Sequence, residues 1–148
     1  MIKILFVCHG NICRSPMAEF VLKHMAAQAG LGDKLFIDSA AASREELGNP
    51  IYPPARRELN RRGIPFAERY ARQITNGDLE KFDYIYYMDS RNRQYLQRMF
   101  PGYAGFRPLL DRDVADPYYC GGFDKTLSEI TEGCERILEE LKCLILSN

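Results

Sequence analysis

The chain contains no tryptophan and only two histidines, His9 and His24. With so few imidazoles, and no Cys-x-x-Cys pair among its five cysteines, a structural zinc site has little to build on, and no metal or other cofactor is expected. No stretch approaches the ~18 consecutive apolar residues of a membrane-spanning helix, so no membrane partner is expected. The opening MIKILFVCHG runs from a short apolar segment straight into a polar turn, which predicts no signal peptide. Charge of one sign is missing as well. Twenty basic and twenty acidic residues cancel, leaving no broad positive field to draw in nucleic acid. Any function must therefore sit in local sites.

What is present suits one compact unit. At 148 residues and 46% hydrophobic content, the chain is long enough to bury a core without disulfide staples, and residues 1–148 are expected to form a single domain. The odd set Cys8, Cys13, Cys120, Cys134 and Cys143 favours a reducing cytoplasm over a disulfide framework.

Ile2 to Val7 reads as a nearly all-apolar strand, the pattern of a strand buried on both faces of a parallel sheet. Ser15-Pro16 then looks like an N-cap followed by proline at the first helical position. Met17, Val21 and Met25 continue at helical spacing to Gly30 and Gly32. A second strand is predicted at Leu35-Phe36-Ile37, a basic helix at Ala55 to Arg62, a third strand at Phe82 to Met88 and a helix from about Ser90 to Met99. A weaker fourth strand falls near Phe106 to Leu109. Leu127, Ile130, Cys134, Ile137, Leu138, Leu141, Leu144 and Ile145 mark one face of a long terminal helix. Strands alternating with helices predict a three-layer α/β domain whose four-stranded parallel sheet is joined by right-handed crossovers.

In such sheets ligands bind beyond the carboxyl ends of the strands, and a turn from strand into helix offers free backbone N–H groups to an anion. Cys8 to Ser15 occupies that turn. Five residues lie between Cys8 and Arg14, enough to wrap a loop around a tetrahedral oxyanion that a planar guanidinium can grip by two oxygens. Gly10 lets the backbone turn inward and Asn11 tolerates a left-handed conformation. A helix N-terminus and a nearby guanidinium favour the thiolate form of a cysteine. Cys8 is thus a candidate nucleophile, where a lone cysteine at a strand end would more often be a small buried hydrophobe.

The segment VCHGNICRSPMAE resembles the phosphate-binding loop of the low-molecular-weight protein tyrosine phosphatases. The resemblance continues through DSAA at 38–41, GNP at 48–50, RRGIP at 61–65, ARQIT at 71–75, FDYIYYMD at 82–89 and DPYY at 116–119, and so spans nearly the whole chain. It implies a phosphatase I-like fold, related to flavodoxin-like and Rossmann-like sheets, with the phosphate loop between first strand and first helix. It also implies that Cys8 attacks the phosphorus of phosphotyrosine or a small aryl phosphate, Arg14 binds the equatorial oxygens, and Asp116 serves as acid and then base. His9, Gly10, Asn11, Ile12, Cys13 and Ser15 would complete the substrate-binding loop, Asn11 by holding its shape. Ser15 would either cap the helix or donate to the thiolate. Tyr118 and Tyr119 would stack on the substrate ring or only pack their own loop. Ser39 would brace the phosphate loop by hydrogen bonding or merely fill a strand end. Cys13, in members with this Cys-x4-Cys spacing, leans toward a resolving thiol for oxidised Cys8. The implied partners are tyrosine-phosphorylated proteins and phosphate or another oxyanion, with the enzyme a monomer or weak dimer.

Two departures bear on substrate. Many relatives carry an aromatic wall before GNP, where Glu45 and its neighbours stand here, and some carry a histidine after Gly-Ile-Pro, where Glu68 and Arg69 stand. Ile12 favours phosphotyrosine, since related protein-arginine phosphatases tend to have a smaller threonine there. A thiol-dependent arsenate reductase shares the loop, but its disulfide relay needs further cysteines and none lies between Asp89 and Met99.

Overall fold

The apolar run at the N-terminus forms the strand Ile2–Cys8 (β1) in the computed structural model, which describes residues 1–147. Ile4 to Val7 are fully buried, because neighbours cover both faces and both edges of the strand. Leu35–Ala41 (β2) pairs on one edge, from Ile2 opposite Leu35 to Cys8 opposite Ala41. Tyr84–Tyr87 (β3) pairs on the other, with Ile4 opposite Tyr84. Phe106–Pro108 (β4) joins the outer edge of β3. The sheet is parallel throughout, in the order β2-β1-β3-β4.

Parallel neighbours require crossovers, and these build the two outer layers. Arg14–Gln28 (α1), Pro53–Arg61 (α2), Asn76–Lys81 (α3), Ser90–Met99 (α4), the short Pro117–Cys120 (α5) and Phe123–Leu146 (α6) follow in chain order. Strand residues alternate between the layers as the period of two demands. Ile4, Phe6 and Cys8 face Met17 and Val21 of α1 and Leu127, Ile130 and Leu138 of α6. Leu5, Val7, Ile85 and Tyr87 face Ile74, Phe82, and Leu96 with Phe100 at α4. Each fully buried Leu or Ile in such a layer contributes at most about 1.5–3 kcal/mol relative to exposure. Gly133 sits mid-helix, where glycine costs ~1 kcal/mol relative to alanine. A Cβ there would stand 2.5 Å from Leu109 Cγ, so the glycine lets α6 close onto the loop after β4.

The fold class and the four parallel strands agree with the expectation from sequence. Local details differ. β2 runs on to Ala41, because the polar Asp38-Ser39 pair still forms ladder contacts with Leu5 and Phe6. Phe82 lies outside β3 as the C-cap of α3, an element the sequence reading passed over. Its signal is Thr75-x-x-Asp78, a capping box in which Thr75 Oγ1 accepts from the Asp78 N–H while Asp78 accepts from the Thr75 N–H. Ser15 is not a helix cap. The helix starts at Arg14 with Cys13 at the N-cap position, and no side chain caps it; Ser15 lies inside the first turn with its hydroxyl turned to Cys8.

Candidate active site

β1 delivers Cys8 to the carboxyl edge of the sheet, and residues 9–13 loop back to start α1 at Arg14. The loop is held from outside. The Cys8 carbonyl accepts from Ala42 N at 2.8 Å, that of His9 from Ser43 N and Ser43 Oγ, that of Ile12 from Tyr52 N, and that of Cys13 from Met17 N. Arg69 donates to the Asn11 carbonyl at 2.7 Å and also to the Asn11 side-chain oxygen. With those carbonyls turned toward the scaffold, planar peptide units direct their N–H groups to the other side.

Asn11 carries the bend. Its φ is 61°, the left-handed region that asparagine enters more readily than most residues. Gly10 does not adopt a positive φ; a Cβ there would meet Glu46 Cγ at 3.0 Å, so the glycine makes room for the neighbouring loop. Asn11 N–H points at Cys8 Sγ from 3.3 Å and Ser15 N–H from 3.4 Å. Ser15 Oγ lies 3.0 Å from the same sulfur and accepts from Asn11 Nδ2 at 2.7 Å. Its own proton can then turn to the sulfur or, less closely, to the Ala40 carbonyl at 3.5 Å.

Arg14 is 2% exposed, and a buried charge needs partners. Its Nη1 donates to Asp89 and to the Val114 carbonyl, each at 2.7 Å, and its Nη2 to Asp116 at 3.3 Å. Burial alone would lower the guanidinium pKa, but Cys8, Asp89 and Asp116 raise it above the ordinary value. Asp116 is itself fixed, because its other oxygen accepts from Tyr118 N–H at the start of α5. Cys13 is buried, and desolvation, reinforced by Cys8 and Asp116, pushes its thiol far up.

The cleft over the loop is lined by Cys8, His9, Gly10, Ile12, Cys13, Arg14, Asp116, Tyr118 and Tyr119, together with Glu45 and Glu46. Nine of the predicted site residues thus share one cavity, while Asn11 and Ser15 support it from below. Tyr118 and Tyr119 stand exposed at the rim, ring centroids 5.1 Å apart. His9 Nε2 lies 2.8 Å from Glu45 across the mouth, and Glu46 raises the Tyr118 hydroxyl pKa. Carboxylates therefore line the wall where the sequence reading noted the loss of an aromatic. Ser39 lies apart from the loop: its hydroxyl donates to buried Glu19 on α1 at 2.6 Å, and loop bracing falls to Ser43 and Arg69.

Asp89, Asn92 and Arg69 were not singled out as site residues from sequence. Asp89 and Asn92 form a capping box at the start of α4, each side chain accepting from the other's backbone N–H, which aims Asp89 at Arg14. The Asp-x-x-Asn spacing was the available signal. Burial lowers the Arg69 pKa, partly offset by Glu19 and Cys8, so this cation lies within the field of the nucleophile.

Among the described residues no group of three or more His, Cys, Asp or Glu side chains is arranged to hold a metal, and no helix is long and apolar enough to cross a membrane.

Comparison with known proteins agrees with this geometry. Residues 3–144 match the family model described as low molecular weight phosphotyrosine protein phosphatase. The low molecular weight protein-tyrosine-phosphatase YfkJ of Bacillus subtilis is 42% identical, over 96% of this chain and 97% of that one. A crystal structure of YfkJ superposes with a TM-score of 0.92, covering 96% and 95% of the two chains at 41% identity. The human low molecular weight phosphotyrosine protein phosphatase is 36% identical over 90% of this chain and 89% of its own. The crystal structure of a drosophila arginine phosphatase also superposes, with a TM-score of 0.86 at 32% identity, covering 95% of this chain and 98% of that one. On a match that spans the fold and the loop alike, the chain belongs to the low molecular weight phosphotyrosine protein phosphatase family.

Proposed function

We propose that the protein hydrolyses phosphotyrosine in proteins and small aryl phosphates through a cysteinyl-phosphate on Cys8. The observation that carries this reading is the convergence of three groups on one cavity: a sulfur receiving two backbone N–H groups, a buried guanidinium, and the Asp116 carboxylate beside it. Phosphoryl transfer needs positioned charge around the transferring group more than covalent elaboration. The Cys8 sulfur attacks phosphorus as the phenolic oxygen leaves. Arg14 binds two equatorial oxygens, and Asp116 delivers its proton to the departing oxygen. Asp116, now ionised, takes a proton from water as that water attacks phosphorus and the P–S bond breaks. Ser15 Oγ stabilises the sulfur as it leaves. Tyr118 and Tyr119 flank the substrate ring, and Cys13 lies in the loop where it can resolve an oxidised Cys8. The chain works as one domain in the cytoplasm, as a monomer or weak dimer, without a metal.

A second reading, protein-arginine phosphatase, draws on Glu45 and Glu46, whose carboxylates at the mouth would suit a guanidinium. Ile12 argues for phosphotyrosine by occupying space that arginine phosphatases leave to threonine. An arsenate reductase is less well supported. Cys120 and Cys143 are exposed, Cys134 is buried with its thiol directed to the Ala18 carbonyl, and none of the three lines the cleft. The deciding experiment compares matched phosphotyrosine and phosphoarginine peptides. Wild type should favour phosphotyrosine by about tenfold or more in kcat/KM, a pocket-shape difference of ordinary size, and Ile12→Thr should narrow the gap. Preference for phosphoarginine by the wild type would replace the first reading with the second.

A further inference from the structure

The cleft wall formed by Ile12 and Glu46 has a second side. Beyond it lies a shallow groove whose lining continues through Asn49, Pro50, Ile51, Tyr52, Pro53 and Arg56, with Asn49 Nδ2 donating to Glu46 at 2.6 Å. The polar groups at its base are already engaged within the protein. Arg56 Nε donates to the Ile51 carbonyl at 2.9 Å, and the Tyr52 N–H to that of Ile12 at 2.9 Å. What the groove offers a ligand is therefore mainly carbon. The Tyr52 ring lies 5.0 Å from that of Tyr118, which ties the groove to the rim of the catalytic cleft. A polypeptide with its phosphotyrosine seated over Cys8 carries its adjacent residues out over the cleft rim, of which this wall forms one side.

We infer that this groove is a specificity subsite for the substrate polypeptide, taking one apolar side chain, of leucine or isoleucine type, close in sequence to the phosphotyrosine. The inference rests on the phosphotyrosine reading above. Continuity with the cleft through shared Ile12 and Glu46 selects this occupant over an unrelated partner, and the engaged polar base selects an apolar side chain over a charged one. Burying such a side chain is worth about a tenfold gain in affinity or more.

The test is a set of phosphotyrosine peptides of Gly-Ser sequence in which a single leucine is moved through the three positions on either side of the phosphotyrosine. Turnover is measured with the wild type, and affinity with Cys8→Ser, so that binding is read even without catalysis. One position should gain about tenfold in both kcat/KM and affinity. Pro53→Asp, which puts a carboxylate into the groove at the first position of α2, should erase that gain while leaving turnover of p-nitrophenyl phosphate within about twofold, a margin below the tenfold worth of one apolar pocket. Asn49→Trp, which adds a bulky ring at the groove edge, should do the same should Pro53→Asp fail to fold. A scan flat within about twofold in both measurements overturns the inference, as does a gain that survives both variants. A flat scan together with dimerisation abolished by Asn49→Trp would assign the groove to a second copy of the chain and likewise overturn it. Loss of all phosphotyrosine turnover with the binding gain intact would sink the phosphatase reading and leave the subsite standing.

Discussion

Asp116 shows how one side chain takes two duties from its position. One oxygen holds the first turn of α5 through Tyr118 N–H, and the other faces Arg14, so the group that would move the proton is aimed by its own loop. Asp116→Asn keeps this shape and removes the transferable proton. Its effect should therefore depend on the leaving group: about 100-fold or more on phosphotyrosine, but much less on an aryl phosphate whose phenol is strongly acidic and departs unaided. Steady-state kinetics on the two substrates checks this, and equal losses would reduce Asp116 to a structural residue. At this scale the sequence was legible wherever the chemistry was local. Cys8, Arg14 and Ser15 lie in one short motif, and Asp116-Pro-Tyr-Tyr is another. The residues that hold them were less legible because they lie far away in the chain: Asp89 stands 75 positions from Arg14, and Arg69 stands 58 from Asn11. No periodicity reports such pairings.

Elements place these residues through their ends. The carboxyl end of β1, the first turn of α1, the cap of α4 and the cap of α5 all meet at the cleft, so capping geometry here is site geometry. The same device at α3 secures the segment that carries Arg69. Asp78 caps α3 with Thr75 and pairs with Arg72 at 2.9 Å, and the Arg72 backbone N–H donates to Asn11. Burial by itself would raise the Asp78 pKa, yet the bonds from Arg72 and Thr75 outweigh it and hold the carboxyl below its usual value of 3.8. A carboxylate held down in this way contributes stability that is complete above its unfolded-state pKa and lost as pH falls through the lower folded value. Asp78→Asn should lower Tm by about 2–4 °C at neutral pH, and the gap from wild type should begin to narrow only once the pH falls below the usual carboxyl value of 3.8. Thermal melts across that range decide the matter; a gap that stays constant would mean that shape rather than charge is at work. Helix α4 was predicted with the bounds it has, because its polar start and apolar spacing agree. Helix α3 was missed because six residues hold too little periodicity, and only its capping box marks it.

Across the whole molecule, the parallel sheet explains why so much could be read from the chain. Alternating strands and helices force crossovers, crossovers force every strand to point the same way, and the loops at one end must then share a face. That logic places the Cys8 loop from the sequence alone. It did not place Glu45 and Glu46 across the mouth from His9 and Tyr118, or the groove behind Ile12, because loop-to-loop distances depend on packing that no local pattern records. The central claim is that Cys8 carries the phosphoryl group in a covalent intermediate. It is tested most directly by rapid quenching of Asp116→Ala during turnover of an activated aryl phosphate, followed by mass spectrometry of the digested protein. In this variant the leaving group departs unaided while hydrolysis lacks its base, so phosphate should accumulate on the peptide that contains Cys8 and vanish from Cys8→Ser. Phosphate found on His9, or sustained turnover with no covalent phosphate at any time, would contradict the account.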